Sequence, residues 1–146
     1  MALKRSSTAV WHGTGPKGSG TLTTLSGAIK DQPYSAAMRF NSEDGKAGTN
    51  PEELIAAAHA GCFTMALSFQ LTNAGHEPTE LKTDAVVSIE KQDAGWTVTN
   101  IHLDVSGKVP GVSAEQFQTL AENAKKGCPI SRALSATPIT MTAKLA

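Results

Sequence analysis

At 146 residues the chain has the length of one ordinary domain. A fold of that size buries roughly two-thirds of the surface its unfolded chain would expose, enough for a core without metal or disulfide staples. Residues are 40% hydrophobic and 18% charged with a formal net charge of zero, so nothing pulls the chain toward nucleic acid or anionic lipid. No run reaches the about 20 apolar residues that span a bilayer, and Met1-Ala2-Leu3-Lys4-Arg5 is not followed by a signal-peptide core, so a cytoplasmic protein with no membrane partner is expected.

The first third reads as three short strands over residues 8–11, 20–25 and 33–40, separated by a glycine-rich turn and the polar stretch 26–32, in the pattern of a β-meander. The turn His12-Gly13-Thr14-Gly15-Pro16-Lys17-Gly18-Ser19-Gly20 has the glycines of a phosphate cradle but no Lys-Ser or Lys-Thr after a correctly spaced glycine, and is read as a hairpin loop. After a polar segment over residues 41–48, Thr49-Asn50-Pro51-Glu52-Glu53 carries a helix start. Asn50 can cap, Pro51 suits the first helical position, and Glu52 and Glu53 complement the positive end of the dipole. The helix should run to about residue 72, with Gly75 near its end. From residue 54 to residue 71 nearly every side chain is apolar or small, a composition that predicts burial on all faces. One chain of this size would struggle to enclose such a helix alone, so a partner subunit is expected.

Beyond it, Ala85, Val87 and Ile89, then Trp96, Val98, Ile101, Leu103 and Val105, alternate around the turn Gln92-Asp93-Ala94-Gly95, as in a long antiparallel hairpin. Ser113 and Gln116 are spaced as a capping box for a second helix, with Phe117, Leu120, Ala121 and Ala124 as its buried stripe and Gly127 at its end. Cys128-Pro129 opens a short third helix to about residue 136, and residues 138–145 alternate as a last strand. The expected architecture is α+β with order β3-α-β2-α2-β, in a single domain over residues 1–146.

The only cysteines, Cys62 and Cys128, lie 66 positions apart. A reducing compartment disfavours permanent disulfides, so they are either buried hydrophobes or a catalytic or sensing dithiol. Cys62 falls within the apolar helix, where burial raises a thiol pKa and reactivity needs a nearby cation. Arg39, at the end of the apolar stretch Ala36-Ala37-Met38, is a candidate, and a carboxylate such as Glu52 could orient its guanidinium by a two-point contact. Glu52 and Cys62 are ten residues apart on one helix, a rise of about 15 Å, so a site joining them would combine two chains. Cys128, at a helix start, is by local electrostatics the more acidic thiol, which leaves open which cysteine attacks and which resolves. His59, three residues before Cys62, could form a Cys-His pair or half of a metal site. With no further ligands at zinc-like spacing, a packed histidine with one hydrogen bond is the preferred reading.

The segment Gly48-Thr49-Asn50-Pro51-Glu52-Glu53-Leu54-Ile55-Ala56-Ala57-Ala58-His59-Ala60-Gly61-Cys62-Phe63, with Gly127-Cys128-Pro129-Ile130-Ser131, resembles the osmotically inducible protein C and organic hydroperoxide resistance protein family. Gln32-Pro33-Tyr34 and Met38-Arg39-Phe40 resemble its osmotically inducible branch, and the likeness spans essentially the whole chain. The resemblance implies an intertwined α+β homodimer, with largely antiparallel sheets around a buried central helix and two sites at the subunit interface. It implies a peroxidase that reduces organic hydroperoxides, and hydrogen peroxide less well, without metal or organic cofactor. Carried onto matching positions, Cys62 is the peroxidatic cysteine, Cys128 the resolving cysteine, Arg39 the thiolate-stabilising cation and Glu52 its acidic partner, with Glu53 as second choice. An external dithiol, possibly lipoyl, would be the reductant. The competing expectation is a redox-sensing dithiol protein without turnover.

Overall fold

The computed structural model describes all 146 residues. They divide into two compact units, Met1–Leu54 and Ile55–Ala146, taken in turn.

In the first unit, β1 (Ser7–His12), β2 (Ser19–Thr24) and β3 (Gln32–Ser35) form an antiparallel meander in that order, with Val10 opposite Thr21 and Gly20 opposite Tyr34. The glycine-rich segment is the β1–β2 hairpin loop, closed by Gly18 N–H donating to the Thr14 carbonyl at 2.7 Å. Gly20 has to be glycine, because a Cβ there would run into the Val10 carbonyl and lie 2.8 Å from the Tyr34 ring. The space it leaves is spanned by the tilted Trp11 and Tyr34 rings, whose centroids are 5.3 Å apart.

The third expected strand is too long. β3 stops at Ser35, whose hydroxyl accepts from Met38 N–H at 3.1 Å and caps a short helix, α1 (Ala36–Phe40). Ala-Ala-Met-Arg are all good helix formers, so once a serine cap stands ahead of them the apolar stretch turns helical. Arg39 therefore projects from a helix, not from a strand end.

The long helix α2 (Pro51–Asn73) starts where expected: the Asn50 side chain accepts from Glu53 N–H at 2.8 Å, and Pro51 is the first helical residue. It ends in a Schellman motif, with Gly75 at φ +84°, His76 N–H on the Leu71 carbonyl and Gly75 N–H on that of Thr72. Burial on all faces is not observed. Within the second unit His59, Phe63, Leu67 and Leu71, spaced by four, are fully buried, while Met65 and Phe69 are each 63% exposed. A helix lying on one face of a sheet covers one stripe, and a single chain supplies nothing for the opposite one. Nor does the expectation that no run is long enough to cross a membrane survive. The 23 residues of α2 pass on length and composition, because Ala, Gly, Ser and Thr add to apolar length without forming an unbroken hydrophobic run. The buried, hydrogen-bonded His59 is what a helix packed against protein contains.

The second sheet has order β4-β5-β6, from β4 (Glu80–Gln92), β5 (Gly95–Lys108) and β6 (Ile139–Leu145). β4 and β5 are the expected antiparallel hairpin, interrupted by a bulge where Ser88 and Ile89 pair with Asn100 and Val98. β6 instead pairs parallel to β5, with Leu103 opposite Met141, a departure from the antiparallel pattern of the other pairs. A parallel neighbour needs a crossover, provided by α3 (Ala114–Gly127) and α4 (Pro129–Ala133). α3 is capped by Ser113, whose hydroxyl accepts from Gln116 N–H at 3.1 Å, and it buries Phe117, Ala121 and Ala124. α4 is shorter than expected, ending at Ala133 with Leu134 as its cap. Ile101, Leu103 and Val105 of β5 meet Phe63, Leu67 and Leu71 of α2 and the α3 stripe in one core that includes Cys128.

Candidate active site

The second unit holds the two thiols together. Cys128 Sγ lies 3.1 Å from Cys62 Sγ, hydrogen-bonded to it, and both cysteines are free. A disulfide sulfur pair sits at about 2.05 Å, so closing the bridge needs a movement of about 1 Å and no refolding. Cys62 is half-buried on α2, whereas Cys128 is fully buried.

Local geometry treats the thiols differently. Cys128 caps two helices at once: its N–H donates to the Ala124 carbonyl at the end of α3, and its sulfur accepts from Ser131 N–H at 3.5 Å at the start of α4. Burial pushes the Cys128 thiol up, but the Ser131 N–H, the Cys62 thiol, the Ser131 hydroxyl and the Ile130 N–H all favour its thiolate and bring it below the ordinary thiol value. Cys62 is raised instead, first by burial and then by its neighbour Cys128. Within one chain, then, Cys128 is the more acidic thiol, as its position at a helix start implies.

Behind Cys128 is a second buried pair. His59 Nε2 and Ser131 Oγ are 2.7 Å apart, His59 is fully enclosed, and its Nδ1 has no hydrogen-bond partner. Burial holds the imidazole below its usual pKa, so it is neutral near pH 7.

The first unit supplies an ion pair. Arg39 Nε donates to Glu52 Oε2 at 3.1 Å and Nη2 to Oε1 at 2.6 Å, a two-point fork on a carboxylate that is nearly buried. The guanidinium also lies 4.8 Å from the Phe40 ring centroid. Glu53 faces elsewhere and accepts from Thr49 Oγ1 at 2.7 Å, so of the two neighbouring glutamates Glu52 is the one that holds Arg39.

A model of the OsmC-like protein family matches residues 43–144, which contain both cysteines and Glu52. The chain belongs to the OsmC family. It is 46% identical over 136 residues to a protein named peroxiredoxin OsmC from Escherichia coli, a match covering 93% of each chain. To an organic hydroperoxide resistance protein from Xanthomonas axonopodis it is 30% identical over 123 residues, covering 84% of each. The crystal structure of the organic hydroperoxide resistance protein OhrB of Bacillus subtilis superposes with a TM-score of 0.73 at 26% identity, over 99% of this chain and 98% of that one. A structure from Elizabethkingia anophelis reaches 0.76 at 23% identity and shares the fold.

In this OsmC-family chain the residues singled out in the sequence form two pairs, Cys62 with Cys128 and Arg39 with Glu52. His59 neither pairs with Cys62 nor joins a cluster of metal-ligating side chains; its partner is Ser131. Sequence reading missed Ser131. The available signal was its spacing, since three residues after a helix-capping Cys128 is where a backbone N–H and a short side chain reach the capping atom.

Proposed function

We propose that the chain is a thiol peroxidase reducing organic hydroperoxides, and hydrogen peroxide more weakly, with Cys62 as attacking and Cys128 as resolving thiol. The observation that carries the proposal is the 3.1 Å separation of two free sulfurs, one partly open and one enclosed. A peroxide reaches Cys62 first, and a sulfenic acid formed there meets its resolving thiol at once. The names of the Escherichia coli and Xanthomonas relatives, a peroxiredoxin and an organic hydroperoxide resistance protein, point the same way.

The Cys62 thiolate attacks the terminal peroxide oxygen. A sulfur–oxygen bond forms, the oxygen–oxygen bond breaks, and the alkoxide leaves and is protonated to alcohol, or hydroxide to water, leaving Cys62 as sulfenic acid. The Cys128 sulfur then attacks Cys62; the disulfide forms, the sulfur–oxygen bond breaks, and the leaving hydroxide takes up the proton released by the Cys128 thiol. An external dithiol, for which a lipoyl group has the right chemistry, reopens the bridge through a mixed disulfide, so its two electrons reach the peroxide.

Because one chain raises Cys62, the attacking thiolate needs a cation. Arg39, held by Glu52, is the candidate. Glu52 and Cys62 are separated by about 15 Å of helix rise, so we assign the Arg39–Glu52 pair of one chain to the Cys62 of a second. The exposed Met65 and Phe69 on α2 support such a homodimer, in which each 1–146 chain acts as a single domain. The exposed Met65, three residues beyond Cys62 on α2, suits an alkyl hydroperoxide better than a small polar one, whereas Phe63 is enclosed in the core. The reducing cytoplasm is the compartment in which such a dithiol recycles.

The test is steady-state peroxide consumption by the purified protein with a lipoyl dithiol in excess. Many turnovers are expected, faster with an organic hydroperoxide than with hydrogen peroxide. One stoichiometric oxidation with no turnover would instead fit a redox-sensing dithiol and overturn the proposal.

A further inference from the structure

The buried His59–Ser131 pair is not used by the peroxidase mechanism, yet it touches the resolving thiol from behind. His59 is fully buried and Ser131 is 5% exposed. Full burial of two polar side chains in an apolar core disfavours folding unless they are matched, and here the match is incomplete, because His59 Nδ1 has no partner. That incompleteness fixes the tautomer. An orphaned N–H is rarer and less tolerable in a core than an orphaned lone pair, so the bare atom Nδ1 is the unprotonated one. In that tautomer the proton sits on Nε2, which lies 2.7 Å from Ser131 Oγ, and Nε2 is the donor of the pair. With its oxygen accepting from His59, the Ser131 hydroxyl keeps its own proton for another acceptor. The residue's backbone N–H is already on the Cys128 sulfur at 3.5 Å, so the Ser131 hydroxyl belongs to a residue already hydrogen-bonded to that atom.

We propose that His59 and Ser131 are positioning residues for the resolving step: neutral His59 orients the Ser131 hydroxyl as a donor to the Cys128 sulfur, and this donor holds Cys128 ready to close onto oxidised Cys62. The inference rests on the assignment of Cys128 as resolving thiol. No proton moves along the chain. The histidine stays neutral and supplies orientation, while the hydroxyl supplies a hydrogen bond to the thiolate alongside the N–H donors of α4. Consistent with this, the Ser131 hydroxyl is among the groups that lower the Cys128 thiol. When the sulfur–sulfur bond forms, the negative charge leaves Cys128, its lone pair enters the new bond, and the hydroxide expelled from Cys62 is protonated to water by the proton Cys128 had released. The hydroxyl is then released to a less demanding acceptor.

Two measurements test this, on the full chain. The first follows both steps after mixing with one equivalent of an organic hydroperoxide: trapping of the Cys62 sulfenic acid by a cyclic 1,3-diketone, and formation of the disulfide. Ser131→Ala should leave sulfenic acid formation at the parent rate and slow disulfide closure by about three- to tenfold, since losing one donor lowers the thiolate fraction while the more basic thiol regains part of the rate as nucleophilicity. Ser131→Thr, which keeps the hydroxyl, should restore closure. His59→Leu should resemble Ser131→Ala, and His59→Gln, which keeps an N–H donor at that reach, should close faster than His59→Leu. Equal slowing of both steps, or unchanged closure in Ser131→Ala, would overturn the proposal. The second measurement is independent of peroxide chemistry: in a Cys62→Ser background, the pH dependence of Cys128 alkylation should move to higher pH on Ser131→Ala. An unmoved midpoint overturns the donor arrangement. If the parent chain forms no sulfenic acid while this midpoint does move, the peroxidase reading has failed and the hydrogen-bond assignment has not.

Discussion

Replacing Glu52 by glutamine probes the cation without removing it. Arg39 makes two bonds to the carboxylate, at 3.1 and 2.6 Å, and the Glu52 side chain is only 10% exposed. Glutamine keeps one carbonyl oxygen but turns its amide N–H groups toward a guanidinium that can only donate, so one of the two bonds is lost. A hydrogen bond to a charged group contributes about 1.5–3 kcal/mol, and because Arg39 is 35% exposed and regains water, the low end applies. At about 1.4 kcal/mol per factor of ten, an arginine no longer held in its fork should slow the attack of Cys62 about tenfold. The assay is the rate of Cys62 oxidation by an organic hydroperoxide in a Cys128→Ser background, measured across pH by rapid mixing, with folding checked by a thermal melt. The Cys62 profile should also shift to higher pH, since a displaced cation stabilises the thiolate less. Glu53→Gln is the control and should leave both quantities unchanged, because Glu53 is engaged with Thr49. If Glu52→Gln folds and matches the parent in rate and profile, Arg39 does not act on Cys62.

Phe69→Glu puts a charge on the exposed apolar face of α2 and should shift the protein from dimer to monomer by size-exclusion chromatography with light scattering; an unpaired charge in a closed interface costs about 3 kcal/mol or more, roughly a hundredfold in dissociation constant. A dimer unaffected by that charge would place the interface elsewhere. Gly107→Ala should destabilise the fold by about 1–3 kcal/mol in urea denaturation, because its Cβ would stand 2.6 Å from the Phe117 ring in the core. The two thiols should also titrate apart in the Phe69→Glu chain. The alkylation rate of Cys128, slow in absolute terms because the thiol is enclosed, should hold its plateau to lower pH than an ordinary thiol's, since its thiolate is favoured by Ser131, and that of Cys62 should already fall away at higher pH, since burial disfavours its thiolate. The reverse order would contradict the helix-capping account of Cys128.

What the sequence made legible was local. Asn50-Pro51 and Ser113 announce their helices because a cap and its target N–H are three residues apart, and Cys128-Pro129 announces α4 for the same reason. The α1 difference is also local: the apolar stretch continues a strand pattern, but Ser35 is placed to cap a helix. Long-range pairings were out of reach. Nothing near β6 shows that it lies parallel to β5, nor that Ser131 meets His59 across 72 positions. The choice between Glu52 and Glu53 turned on Thr49, four residues before Glu53, which takes that carboxylate. Composition predicts burial of α2 on all faces with a partner subunit's help; within one chain only the stripe through His59, Phe63, Leu67 and Leu71 is covered, and Met65 and Phe69 stay exposed. The cysteine roles show the same division: helix-end electrostatics make Cys128 the more acidic thiol, while the proposal of Cys62 as attacking thiol rests on its exposure and on family resemblance.

The assignment of those roles is decided by adding one equivalent of an organic hydroperoxide to Cys62→Ser and to Cys128→Ser and locating the oxidised residue by mass spectrometry. Cys128→Ser should consume the peroxide once and carry a single added oxygen on Cys62, and Cys62→Ser should consume none. Rapid peroxide consumption by Cys62→Ser, with the oxygen on Cys128, would reverse the assignment.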